Sequence, residues 1–191
     1  MVKIYIILGS TRPNRMSEKV APWVLAQAKK HTEAQFELID LRDWPLPFYQ
    51  EVAGVTDLTE YSVPLAQKWS EKIREGDGFL FITPEYNHGY TAVLKNALDY
   101  LYTEWHRKPV AFVSYGGSVG GSRAVEQLRL VAIELKMVPI STAVNIVRVS
   151  KALDEHGIPT EPVYGKLLEK LLGDLLWYAE TLKPAREKST S

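Results

Sequence analysis

The sequence predicts an α/β fold: one parallel sheet with helices packed on both faces. Three observations carry this. Five short apolar runs alternate with five amphipathic runs along the chain. Such alternation builds βαβ units rather than hairpins. The first run, Val2–Leu8, is β-branched and apolar with a single Lys3, as expected of a strand buried on both faces. The 191 residues, 46% apolar and 24% charged, suffice for one full core.

Each element follows from its pattern. After the first strand, residues 17–31 form an amphipathic helix. Residues 36–41 alternate weakly and form a second strand. A helix is expected over 58–75, and the third strand is "GFLFI", residues 78–82. In the helix expected over 91–106, Val93, Leu94, Ala97, Leu98, Leu101 and Trp105 fall on one core stripe. Tyr90, Tyr100 and Tyr102 lie off it. They suit either a partner surface or a helix packed beneath long loops. "VAFVS", residues 110–114, is the fourth strand, 121–137 the next helix, and residues 139–147 contain the fifth strand. A last helix spans about 162–182, and the polar tail 183–191 is expected to fray. With no repeat and no dividing linker, residues 1–191 read as one domain. Crossovers should be right-handed.

Composition excludes several classes. Formal net charge is zero and cysteine is absent. Nucleic-acid binders show a basic surplus, and without cysteine there is no disulfide, thiolate metal site or cysteine nucleophile. No apolar run approaches the roughly 20 residues that span a bilayer, and the amino-terminal strand lacks signal-peptide features. A cytoplasmic location, with neither nucleic acid nor membrane as partner, is the expectation.

Three unusual loops follow strands 1, 3 and 4: "GSTRPNRMS" (9–17), "TPEYNHGY" (83–90) and "SYGGSVGGS" (114–122). In the doubly wound order 2-1-3-4-5 these strands are neighbours, and ligands bind at the carboxyl ends beside the switch point. The first loop offers hydroxyls from Ser10, Thr11 and Ser17 and charge from Arg12 and Arg15 where a helix begins. A helix amino terminus with arginines suits a phosphate monoester. Alternatively, Ser17 caps the helix and the arginines are solvated. In the second loop, Pro84, Glu85, Tyr86, Asn87 and His88 present polar edges and rings to a flat heterocycle, although Asn87 could instead cap the following helix. The third loop has Gly116, Gly117, Gly120 and Gly121, which permit close backbone approach. It lacks the lysine of a P-loop and the spacing of a dinucleotide fingerprint. It does match G-x-S-x-G at Ser118, with Asp154 and His156 downstream, which leaves a serine esterase as a rival.

"GSTRPNRMS", "PEYNHGYTAVLKNALDYL" and "KPVAFVSYGGSVGGSRAVEQLR" together resemble the NADPH-dependent FMN reductase family, a flavodoxin-like group that includes azoreductases, quinone reductases and chromate reductases. The resemblance covers roughly residues 2–145. It implies a five-stranded flavodoxin-like sandwich of order 2-1-3-4-5, FMN as cofactor, and NADPH or NADH as co-substrate. It places Ser10, Arg12, Arg15, Met16 and Ser17 around the FMN phosphate. It places Pro84, Glu85, Tyr86 and Asn87 at the isoalloxazine, and Ser114, Tyr115, Gly116 and Gly117 along its other side. Arg15 stands where relatives often carry serine, and His88 where they often carry a small residue. Relatives are usually homodimers or homotetramers, and the helix at 91–106 with the one after it is the expected dimer surface.

The implied activity is hydride transfer from NAD(P)H through flavin to a small-molecule acceptor such as a quinone, azo compound, metal oxyanion or free flavin. No catalytic side chain and no metal ligand is required by it. A non-enzymatic FMN-binding electron carrier or sensor is the alternative. Two long connections, 42–57 and 148–162, stand out. The first carries Trp44, Phe48 and Tyr49 and is expected to shape acceptor choice, with Trp44 as its test position.

Overall fold

A computed structural model of the chain describes residues 1–51, 54–56 and 61–189. Five parallel strands, β1 (Val2–Leu8), β2 (Ala34–Asp40), β3 (Gly78–Pro84), β4 (Pro109–Tyr115) and β5 (Val138–Ile146), form one sheet. Its order is β2-β1-β3-β4-β5, as expected. Every residue of β3 and β4 is buried. Edge strand β2 alternates, Ala34, Phe36 and Leu38 packing on one apolar layer while Gln35 and Glu37 face solvent.

Alternate strand residues feed two apolar layers. Ile4, Ile6 and Leu8 face α1 (Ser17–Ala28) and α6 (Pro162–Ser189). Tyr5 and Ile7 face α2 (Pro64–Glu75), α3 (Ala92–Asp99) and α4 (Ser122–Glu134). In the second layer the indoles of Trp69 and Trp105 are fully buried, and each donates to a carbonyl of α3: Ala97 at 2.8 Å and Leu98 at 3.2 Å. Satisfying the N–H makes so large a side chain usable as core.

Several element ends differ from expectation. The helix expected from 58 begins at Pro64, a favoured first helical residue; residues 57–60 lie outside the described part. The helix expected to reach 106 stops at Asp99, and Thr103–Trp105 form a separate 3-10 turn. There the Tyr102 N–H is taken by the Glu104 carboxylate at 3.2 Å, in place of a helical carbonyl. Tyr100, expected off the core stripe, is fully buried. Residues 183–189, expected to fray, continue α6, where Lys183 and Arg186 bond Asp77 at 2.8 and 2.9 Å. A four-residue helix, α5 (Val149–Ala152), interrupts the second long connection.

Candidate functional site

The three unusual loops meet at the carboxyl edge of β1, β3 and β4. Ser10 Oγ lies 3.1 Å from Tyr86 OH, joining the first loop to the second. Glu85 N–H donates to the Tyr115 carbonyl at 3.3 Å, joining the second to the third. The Glu85 carboxylate also accepts from Arg123 Nη1 at 3.0 Å and from the Arg123 N–H at 3.2 Å, at the start of α4.

In the β1–α1 loop, the Gly9 N–H donates to Ile82 O at 2.8 Å. The Thr91 hydroxyl donates to Gly9 O and accepts the Leu94 N–H, so one side chain latches the loop and caps α3. This corrects the alternative that Asn87 caps α3. Asn87 (φ 50°) and His88 (φ 70°) instead form the corner of a tight turn closed by the Tyr86 N–H on Gly89 O and its reciprocal bond. Positive φ at both central residues is what such a turn demands.

The arginines of the first loop diverge. Arg15 is turned inward, its guanidinium bonded to both carboxylate oxygens of Asp40 and to the Ser10 carbonyl. Its charge is taken up within the protein. Arg12 is exposed and makes no ion pair among the described residues. Met16 holds the N-cap position in helical geometry and makes no side-chain cap bond; its side chain packs against the core.

Ser17 is the first residue of α1 and not its cap. Its Oγ is buried without a hydrogen-bond partner, and so is Tyr115 OH. Burial pushes the Tyr115 phenol up to about 12, with the Ser17 hydroxyl and N–H beside it pulling the other way. Two buried hydroxyls left unsatisfied at an uncapped helix start are costly. An anion with several oxygens supplies what they lack, and the helix dipole favours its charge. The residues present therefore fit the phosphate of FMN.

The glycine loop divides its work. An added Cβ at Gly120 (φ 63°) would sit 2.7 Å from the Asn145 carbonyl, and at Gly121 (φ 87°) 2.8 Å from Ser114 Cβ. Those two glycines serve packing. At Gly117 an added Cβ meets nothing within 4 Å, and at Gly116 it meets only the Gly120–Gly121 backbone. This leaves the Gly117 backbone open. Ser114 Oγ is fully buried, 2.8 Å from Gly120 O and 2.7 Å from Asn145 Oδ1. Its hydroxyl joins the loop to β5. Pro84 is likewise buried at the end of β3.

The esterase alternative lacks its geometry. A nucleophile elbow holds its serine in a strained turn, but Ser118 has no positive φ. The Asp154 carboxylate accepts backbone N–H groups of His156 and Ile158, while the exposed His156 ring faces Glu155.

A cavity of about 580 Å³ opens beside the first two loops, floored by Ser10, Thr11 and Arg12 and walled by Leu46, Pro47 and Phe48. Phe48, whose loop was expected to shape acceptor choice, lines this cavity. Trp44, in the same loop, packs on Trp69 at 5.0 Å between ring centroids. Thr91 and Asn96 lay within "PEYNHGYTAVLKNALDYL" with no role of their own assigned.

The family model for NADPH-dependent FMN reductase matches residues 2–151. An NAD(P)H-dependent FMN reductase of Schizosaccharomyces pombe is 46% identical over 136 residues, covering 71% of this chain and 68% of that protein. One from Saccharomyces cerevisiae is 35% identical over 186 residues, covering 92% and 97%. Among solved structures, a flavoenzyme NAD(P)H:(acceptor) oxidoreductase from Paracoccus denitrificans shares the fold. Its TM-score is 0.75 at 24% identity, over 95% of this chain and 99% of that one.

Proposed function

The chain belongs to the NADPH-dependent FMN reductase family and is an FMN-dependent NAD(P)H oxidoreductase, and on that premise we propose how its own residues serve the reaction. The observation that carries the reading is the pair of unsatisfied buried hydroxyls, Ser17 and Tyr115, at the start of α1 with the unpaired Arg12 in the same loop. The N–H groups at the head of α1, these hydroxyls and Arg12 hold the FMN phosphate. The 84–87 and 115–117 segments border the isoalloxazine mainly through backbone groups.

When bound, FMN carries two electrons from NAD(P)H, taken as hydride, to an acceptor; a quinone gains two electrons and two protons, one of them from water. The protein's contribution is orientation and electrostatics. The turn at 86–89 fixes the backbone edge of the site. Glu85, already neutralised by Arg123, adds no free negative charge beside an electron-rich ring. A cavity adjoining the phosphate loop gives an acceptor somewhere to bind, which a pure carrier does not need.

We further infer a homodimer in which α3 and α4 face the partner. Leu130 and Ile133, 70% and 61% exposed on α4, support this face. Among the described residues no helix is long and apolar enough to cross a membrane, and a cytoplasmic location completes the reading. The test is the visible spectrum of the purified protein with FMN, followed by NADPH oxidation with a quinone acceptor. Flavin absorbance that washes away on gel filtration, with oxidation no faster than free FMN supports, defeats it.

A further inference from the structure

The cavity beside the first two loops has an unusual wall. Phe48 is 81% exposed at the apex of the segment after β2. A large exposed aromatic on an irregular segment would normally fold onto nearby apolar surface. Here it is held out by α3. Asn96 Nδ2 donates to Leu46 O at 3.3 Å and to Pro47 O at 2.8 Å, and Asn96 Oδ1 accepts the Tyr49 N–H at 3.0 Å. Tyr100 OH donates to Phe48 O at 3.4 Å, and the Tyr49 ring packs edge-on against Tyr100 at 5.3 Å. The peptides on both sides of Phe48 are therefore fixed from outside the segment, and Pro45 and Pro47 restrict it further.

We propose that Phe48 is the specificity-determining wall of the electron-acceptor site and that Asn96 is the positioning residue that keeps it there. The inference rests on the FMN reductase reading. The acceptor that fits is a planar aromatic molecule of about two fused rings, such as 1,4-naphthoquinone. The cavity of about 580 Å³ is shared with the flavin residues Ser10, Arg12 and Tyr86, so the acceptor occupies the part walled by Leu46, Pro47, Phe48 and Val93, within the range of small-molecule sites. Leu46, Pro47, Phe48 and Val93 offer apolar surface and one ring face for offset stacking. Against the apolar wall of Leu46, Pro47, Phe48 and Val93 a hydrated metal oxyanion would shed water without replacement hydrogen bonds, and the one cation of the floor, Arg12, is committed to the phosphate.

The test uses the FMN-loaded enzyme with NADPH and compares 1,4-naphthoquinone with chromate. In Phe48→Ala the preference for naphthoquinone over chromate, as a ratio of kcat/KM, falls about tenfold through KM, the scale of one lost aromatic contact. Phe48→Trp retains it. Asn96→Ala raises the naphthoquinone KM in the same direction with little change in kcat, a split that general destabilisation does not produce. An equilibrium readout stands apart from turnover: without NADPH, quenching of tryptophan fluorescence by naphthoquinone shifts to higher concentration in Phe48→Ala by the same factor. An unchanged ratio and unchanged quenching in Phe48→Ala, with NADPH oxidation intact, overturn the proposal. So does a halved particle mass in Phe48→Ala with naphthoquinone KM unmoved, which would make Phe48 a subunit contact. Absence of NADPH oxidation by the wild-type loaded enzyme with either acceptor fails the FMN reductase reading itself.

Discussion

Arg15 sits at the end of the β1–α1 loop, and its guanidinium grips Asp40 at the end of β2, Nη1 lying 2.8 Å from Oδ1 and Nη2 bonding Oδ2. Only 1% of the Arg15 side chain is exposed. Burial raises the Asp40 carboxyl, but the hydrogen bonds from Arg15 and Arg42 outweigh it and bring it to about 2. The pair ties the loop to the sheet, while Arg12, nearby in the same loop, faces outward.

The two arginines should therefore fail differently. Arg15→Ala leaves Asp40 paired with Arg42 alone and should cost about 1–2 kcal/mol, below the range for a stranded buried charge because Asp40 keeps that partner and some exposure. Urea unfolding of the FMN-free protein measures this. Arg12→Ala should leave that midpoint in place and weaken FMN about 10- to 100-fold, the scale of one charge-assisted hydrogen bond. Equal losses of stability in both variants would contradict the division.

Tyr115→Phe should separate stability from affinity in opposite directions. The buried Tyr115 hydroxyl makes no well-formed hydrogen bond, with only the Ser17 hydroxyl and N–H beside it, so removing it relieves a desolvation cost of about 1 kcal/mol in the FMN-free protein. Its urea midpoint should rise. FMN, deprived of one donor to its phosphate, should bind about tenfold more weakly, read by quenching of flavin fluorescence. A variant that is both less stable and unchanged in affinity would assign the phenol to packing alone.

The strands and the shared edge were legible because β1, β3 and β4 are buried on both faces: continuous apolar runs need no partner to be recognised. The loops after them were legible because glycine, proline and arginine are out of place directly after such runs. What stayed hidden depends on partners distant in sequence. That the Arg15 guanidinium pairs with Asp40, 25 residues on, has no signal in the sequence. Asn96 reads as one more residue of an amphipathic helix, because its three bonds go to a segment 47 to 50 residues earlier. Nor does the sequence show that the Ser114 hydroxyl meets Asn145 on β5.

Lys108 gives a pH signature at the far edge of the sheet. It is 7% exposed, and Nζ donates to the carbonyls of Ile73 and Arg74 at the end of α2 at 2.8 and 3.0 Å. Burial, with Arg186 nearby, brings its amine down to about 7, whereas an unfolded lysine titrates near 10.4. Between these values the unfolded chain holds a proton that the folded chain has released. Stability should therefore rise as pH increases from about 7 towards 10. Lys108→Met should flatten that rise. Urea midpoints at pH 7, 8.5 and 9.5 decide, and identical slopes in the two proteins would place the titration elsewhere.

Gly117 and Gly120 should part company on one small addition. At Gly120 a methyl group meets the Asn145 carbonyl at 2.7 Å, and the backbone is left-handed at φ 63°. Alanine there should cost at least about 2 kcal/mol, from backbone strain and the clash together. At Gly117 the same methyl enters open space, so stability should stay within about 0.5 kcal/mol of wild type. If the isoalloxazine approaches this backbone closely, that space is where it lies, and Gly117→Ala should weaken FMN binding while the FMN-free protein unfolds as before. Gly117→Ala with unaltered FMN affinity would move the ring away from the third loop and leave only the 84–87 segment to border it.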